Sequence, residues 1–468
     1  MGANREGSYI LTEQERVGAR RSLWVMIAPN IVLVENTPVA KLGFQYNQAL
    51  QASRQFAQEL YSVSKQVADQ QPAKAPDPAA PADVYQQQLQ SHQDSLKLNE
   101  DTRYATLEKL RTLGAPHRAE LSEEMVKQFK FNGFLQDAGQ EEPGLNFQED
   151  ERAPILWEML YEGGQEGDAD WQQFWGFRVP ISHWINRTRT EEIWLRNGFF
   201  AAINEDLEFA GGEVDSLAQR LNLPRYSLAE ALREHVHQTL LSQMDANQAE
   251  NWLSQNPHIW LQRFLSELAP DEAICLIKAD RWKKDKLIAI FKDPRFCYDL
   301  IHFACHCQPS EHTEFLSSME MKVAGELVCL DVSLMATDLH HEPLTARSPG
   351  PLVFLNACGT AQQSPSYEPP GFPKKWIWNQ SALAVIATLC PVPDYFAHAF
   401  AMQFYDTLFK ALTEANKPKP DPNVARNCYI AEALLATRRH FMEQYNNPLG
   451  LAYVIYAMKK ARVLADFL

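Results

Sequence analysis

"DLIHFACHCQP", residues 299–309, ends an apolar, strand-like run on two histidines and two cysteines. Further along, "GPLVFLNAC" (350–358) is a second such run, again closing on a cysteine. Near-continuous runs of Val, Ile, Leu and Phe are expected of strands whose two faces are both covered by helices. "EAICLIKA" (272–279) and "SALAVIATLCPV" (381–392) read the same way, with helical stretches at 283–293, about 395–413 and about 424–446. "GFFAAINEDLEFA" (198–210) is a further β-like run, ahead of a mainly helical section reaching about 268. Strands alternating with helices predict an α/β domain, about 270 residues long, around a mainly parallel sheet.

The N-terminal part has a different character. "RSLWVMIAPNIVLV" (22–35) reads as one or two strands. Residues 48–68 then place Ala49, Phe56, Leu60, Val63 and Val67 on one helical face. Pro72, Pro76, Pro78 and Pro81 mark a linker over about 70–83, and a second helix is expected over roughly 83–113. The sequence therefore divides into an N-terminal strand and helical hairpin (1–110) and an α/β domain (111–468), whose chemistry-bearing half runs from about 190.

The bulk properties exclude several functions. The 468 residues carry a formal charge of -15, from 44 basic and 59 acidic residues, without a basic cluster. That argues against direct nucleic-acid binding. "MGANREGSYILTEQERVGARRSLW" has no apolar core of signal-peptide length, and Glu6 stands where a myristoylation signal wants Ser or Thr. No apolar run is long enough to span a bilayer, so a cytoplasmic location off the membrane is expected. All eight cysteines (Cys275, Cys297, Cys305, Cys307, Cys329, Cys358, Cys390 and Cys428) fall after residue 270, several within apolar runs where a thiol acts as a small hydrophobe. A disulfide framework is not expected in a chain of this kind.

Open α/β sheets bind ligands at the carboxyl ends of their strands. Two runs here end on reactive residues, His306 and Cys358, which are 358 − 306 = 52 residues apart. If the strands are neighbours, the two side chains share a crevice. A cysteine nucleophile needs a base, since little of a free thiol is thiolate at neutral pH, and a nearby histidine supplies it. The competing reading is a metal site built from His302, Cys305, His306, Cys307 and His312. In an extended strand Cys305 and Cys307 face one side and His302 and His306 the other, so one ion could not collect all four. Neither a metal nor a cofactor is expected.

The arrangement resembles the CHAT family of caspase-fold cysteine peptidases, related to caspases and separases. Five segments carry the resemblance, in order, between about 110 and 465: "ILWEMLYEGG", "YDLIHFACH", "GPLVFLNACGT", "VIATLCPVPDYFAHAFAMQFYDTLF" and "YIAEALLATRRHF". It implies a caspase-like three-layer α/β/α fold, with His306 as base and Cys358 as nucleophile. His302 matches the family's non-catalytic first histidine, and Asn356 falls where relatives shape the pocket for the residue preceding the cut. Asp394, in "PVPD", is a candidate pocket acid. Backbone N–H groups at Cys307 and Cys358 would form the oxyanion site. The chain departs from the family at Cys307, which replaces the glycine after the catalytic histidine, and at "NQSAL", where the family has a glycine ahead of the fifth strand. The Pro-rich stretch 361–376 is expected to be an irregular loop beside the cleft. The resemblance further implies a bacterial signalling or immune protease that acts on a protein substrate and is released by a protein partner. Residues 1–110 are the expected docking surface. The Cys307 departure leaves a second reading, a catalytically silent scaffold or regulatory protein.

Overall fold

A computed structural model describes residues 23–28, 31–34, 37–41, 46–70, 80–120, 145–148, 156–163, 167–184, 192–194, 199–204, 206–210, 212–213, 245, 247–248, 299–308, 318–323, 326–331, 350–357, 371–378, 380, 382–416, 428–457 and 461–464. The chain opens with β1 (Leu23–Ala28), β2 (Ile31–Val34) and β3 (Thr37–Lys41), then α1 (Tyr46–Ala68), α2 (Ala82–Ser95) and α3 (Glu100–Glu120). The strands β4 (Leu145–Gln148), β5 (Ile181–Trp184), β6 (Glu192–Trp194) and β7 (Phe199–Ile203) follow. The central part holds β8 (Leu300–Gln308), β9 (Ser318–Val323), β10 (Glu326–Asp331), β11 (Leu352–Ala357), α4 (Gly371–Trp378) and β12 (Ala384–Thr388). The chain continues through α5 (Asp394–Asn416), β13 (Cys428–Tyr429), α6 (Ile430–Tyr445), β14 (Tyr453–Ala457) and β15 (Arg462–Leu464).

The main sheet is mixed and mainly parallel, in the order β10-β9-β8-β11-β12-β14-β5-β4-β1-β2-β3, with β7 also paired to β8. It consists of two parallel blocks. One is β7, β8, β11 and β12; the other is β14, β5, β4 and β1. They meet antiparallel at β12 and β14. Strands β11, β12 and β14 are buried along their whole lengths. Helices cover both faces. Trp376 of α4 packs on Phe303, while Tyr405 of α5 packs on His302 and Phe354, residues of opposite parity to Phe303 on the pleat. The α/β architecture with flanking helices is therefore as expected.

The helical periodicity of 48–68 is realised in α1. Phe56, Leu60, Val63 and Val67 are all buried in the common core. Each such side chain contributes about 1.5–3 kcal/mol by leaving water. The expected second helix is in fact two. Leu96 caps the C-terminus of α2, and the Asn99 side chain accepts from the Thr102 N–H at 2.8 Å to start α3. The division expected at 110 runs through α3. That helix lies so close to residues 157–159 that a Cβ on Gly114 would stand 1.9 Å from the Met159 carbonyl oxygen.

Three further readings need correction. Residues 371–376, expected to be irregular, belong to α4; Pro373 sits in its first turn, where its missing N–H removes no helical hydrogen bond. The helix expected from 424 begins at Ile430, after the two-residue β13. The β9–β10 hairpin and β14 were not anticipated, and their antiparallel pairings help to make the sheet mixed. The strand expected at 272–279, the helix at 283–293, most of the helical section to 268 and residues 361–370 lie outside the described residues.

Candidate active site

Strands β8 and β11 are adjacent and parallel. Their register is constant from Leu352↔Leu300 to Ala357↔Cys305, an offset of 357 − 305 = 52. This equals the sequence separation of His306 and Cys358. His306 is exposed on β8, just past the last paired rung. Cys358 follows directly on Ala357 and lies outside the described residues. On its other side β8 pairs with β7 through residue 304 and with β9 from residue 306, where His306 opposes Glu320. The strand stays regular through Gln308. Cys305 and Cys307 are buried, on the opposite parity to exposed His306 and buried His302. Among the described residues, no group of three His, Cys, Asp or Glu side chains could hold a metal ion.

Cys307 raises no backbone difficulty. Among the described non-glycine residues only Asn446 has positive φ, so Cys307 keeps the ordinary extended conformation of its strand. Its side chain is 7% exposed. By the pleat it belongs to the face away from His306, so a thiol in place of hydrogen does not enter the histidine's side of the sheet.

Beneath this rim lies a buried polar network. His302 is fully buried, and its Nε2 lies 2.5 Å from an oxygen of Glu213. Its Nδ1 is 3.2 Å from the Tyr405 hydroxyl. Asn356 donates from Nδ2 to both Glu213 oxygens, at 3.0 and 3.1 Å. The Tyr453 hydroxyl donates to Asn356 Oδ1 at 2.7 Å. The donors and acceptors all match when Nε2 of His302 carries the ring proton and Tyr405 donates to Nδ1. Burial, with the Glu213 charge adding to it, raises the Tyr405 phenol well above its ordinary value. Asn356 is thus buried, and both ends of its amide are committed inside the protein.

Asp394 opens α5 at the same end of the sheet, after β12. Its Oδ2 accepts from the Phe209 N–H at 3.0 Å, tying α5 to the short segment that carries Glu213. Burial above all lifts its carboxyl to about 6. Within that shift the charges of Glu213 and Glu208 also act upward, against the bonds from the Phe209 and Glu208 backbone. The structure thus joins His302 and Asn356 through Glu213 and ties Asp394 to the same segment, with His306 apart on the exposed rim. Glu213 was missed in the sequence. The available signal was indirect: a buried histidine needs a partner, and nothing in "GGEVD" identifies its glutamate as that partner.

Residues 263–418 match the CHAT-domain family model. The match covers one third of the chain and contains β8, β11, β12 and α5, with His306, Cys307, Asn356, Cys358 and Asp394. It agrees with the CHAT resemblance read from the motifs and points to a family of cysteine peptidases. Glu213, which bonds side chains of two matched strands, lies before the matched residues. No curated protein matches the chain in sequence. Among solved structures, the separase–securin complex of Saccharomyces cerevisiae aligns over 88% of this chain, with 9% identity and a TM-score of 0.35. This chain spans only 28% of the length of that one. The Arg-specific cysteine proteinase gingipain R aligns over 74% of this chain and 69% of its own, with 12% identity and a TM-score of 0.37. Among the described residues, no helix is long and apolar enough to cross a membrane.

Proposed function

We propose that the protein is a cysteine endopeptidase in which Cys358 is the nucleophile and His306 the base. The observation that carries this reading is the parallel register of β8 and β11. Its offset of 52 is also the separation of His306 and Cys358 in sequence, so the same register continued by one residue would pair them. The CHAT match supports it independently, since both residues fall within the matched span.

The chemistry follows from the pair. His306 takes the thiol proton, and the Cys358 sulfur attacks the carbonyl carbon of the scissile peptide. Backbone N–H groups at Cys358 and Cys307 face the developing oxyanion; one such donor is worth about 3 kcal/mol in other enzymes. The imidazolium returns its proton to the leaving amine. Water, deprotonated by His306, then releases the acid from the thioester. Asp394 is proposed as an acid of the substrate pocket. Asn356 contributes from below the pocket floor, because its amide is bonded on both sides. In keeping with the CHAT resemblance, the protease is a cytoplasmic bacterial signalling or immune effector released by a protein partner that docks on residues 1–110.

The test is intact-mass labelling with peptidyl acyloxymethyl ketones that vary in the residue next to the warhead. Wild type should gain one adduct, Cys358→Ala and His306→Ala none, and the best warhead identifies the preferred residue. A wild-type protein that stays unlabelled with every candidate partner would favour the silent scaffold.

A further inference from the structure

We infer that Glu213 is a positioning residue for the proposed dyad, holding the ends of β8 and β11 in the geometry the reaction needs. The inference rests on the peptidase reading above and adds a residue outside the CHAT-matched span. Glu213 is 1% exposed, and both its oxygens are engaged: Oε2 with His302 at 2.5 Å, and both with the Asn356 amide at 3.0 and 3.1 Å. One carboxylate therefore grips two adjacent parallel strands from an element that belongs to neither.

The grip lies on the face that matters. His302 precedes His306 by four residues and Asn356 precedes Cys358 by two, both even spacings on a pleat of period two. Backbone pairing already fixes the register of the strands. It leaves the relative height and twist of their last residues to whatever braces them. Glu213 is braced in turn: the Phe209 N–H of its segment is held by Asp394, and the Asn204 N–H bonds the Ala304 carbonyl of β8 at 2.8 Å. A misplacement of about 1 Å between reacting groups can slow a reaction by about 100-fold. Side chains two and four residues below the reacting pair are where such an error would originate.

The partners also suggest a donor–acceptor swap. Glu213→Gln keeps one oxygen to accept from His302 but sets its N–H₂ against the N–H₂ of Asn356. Combining it with Asn356→Asp reverses donor and acceptor. The introduced glutamine then donates to the introduced aspartate and accepts from His302, and that aspartate still accepts from Tyr453. Total charge and approximate volume are conserved.

The experiment is the second-order rate of Cys358 labelling by the best acyloxymethyl ketone, with melting temperatures measured in parallel. All rates are taken well below the lowest transition. Glu213→Gln should slow labelling by about 10-fold or more, and the double variant should return to within about 3-fold of wild type. Should Glu213→Gln fail to fold, the comparison becomes Asn356→Asp, which opposes two carboxylates, against the double variant. The double variant must then react faster. Wild-type labelling rates in folded Glu213→Gln, with Cys358→Ala blank, would overturn the inference and leave the dyad intact. A double variant as slow as Glu213→Gln would also overturn it. An adduct that persists in Cys358→Ala would remove the peptidase reading and this inference together.

Discussion

Asp394 makes a residue-scale prediction with a definite sign. Its folded carboxyl is raised from 3.8 to about 6, chiefly by burial. Between those values the folded protein holds a proton that the unfolded chain has released, so stability falls as pH rises through this window. Below 3.8 the penalty is absent. Asparagine at 394 still offers an oxygen to the Phe209 N–H and cannot ionise. Asp394→Asn should therefore match wild type near pH 4 and exceed it near pH 7 by about 1–2 kcal/mol, the group being partly solvated. Urea denaturation of both proteins across that range checks this; a difference independent of pH would refute the assignment. At this scale the sequence was partly legible. The adjacency of β8 and β11, with His306 just past their paired residues, followed from apolar runs and counting. Glu213 did not, because its contacts to His302 and Asn356 span 89 and 143 residues of chain.

At the scale of elements, the motifs that suggested the family serve different purposes. "ILWEMLYEGG" and "YIAEALLATRRHF" meet in a buried knot. Glu158, fully buried, lies 3.0 Å from His183 Nε2 and 3.3 Å from Arg438. Arg438 also reaches the carbonyls of Gly176 and Tyr453. Burial alone would raise the Glu158 carboxyl, but His183 and Arg438 outweigh it and hold it at about 2. Its contribution is therefore present above the ordinary value of 4.5 and lost as pH falls towards 2. Removing Arg438 leaves the buried Glu158 charge with His183 alone to offset its burial. Arg438→Met should thus destabilise by about 3–5 kcal/mol, and Glu158→Leu added to it should recover a good part. Chemical denaturation decides this, and equal stability of Arg438→Met and wild type would contradict the knot. Helix existence was legible from periodicity. The break at residues 96–99 was not, since one capping asparagine interrupts the pattern too briefly to show, and the helical start at Gly371 was not, since a first-turn proline reads as a loop signal.

For the whole molecule, the N-terminal helices belong to the body of the protein. The Tyr395 hydroxyl bonds the Val67 carbonyl, Asn447 donates to Leu96 at 2.8 Å, and the Leu98 N–H bonds Tyr445 at 3.0 Å. His92 of α2 stacks on Phe209 at 5.2 Å, on the segment that carries Glu213. A fragment of 111–468 would lose α1, α2 and half of α3, and with them Phe56, Leu60, Val63 and Val67. Truncating even one such core side chain to alanine costs about 2–5 kcal/mol. The fragment should accordingly lose its cooperative thermal transition by calorimetry; a sharp transition at the wild-type temperature would show the helices to be dispensable. Partner docking on this region is better examined through Val84 and Tyr104, each 38% exposed, than by deletion. The sequence separated these helices because a proline-rich stretch and a change of pattern look like a boundary. Packing across that boundary has no periodic signature.

The place of β14 bears on how the protein is made. It joins the two parallel blocks, between β12 and β5, yet it is translated after every other strand of that sheet. During synthesis the two blocks can each gather on their own, but they stay unjoined until residues 453–457 have emerged from the ribosome. Tyr453, at the start of this strand, also completes the network under Asn356. A polypeptide stalled or cut short before that point lacks the Tyr453 contact beneath the rim that carries His306, so an unfinished chain would be kept from acquiring the proposed activity.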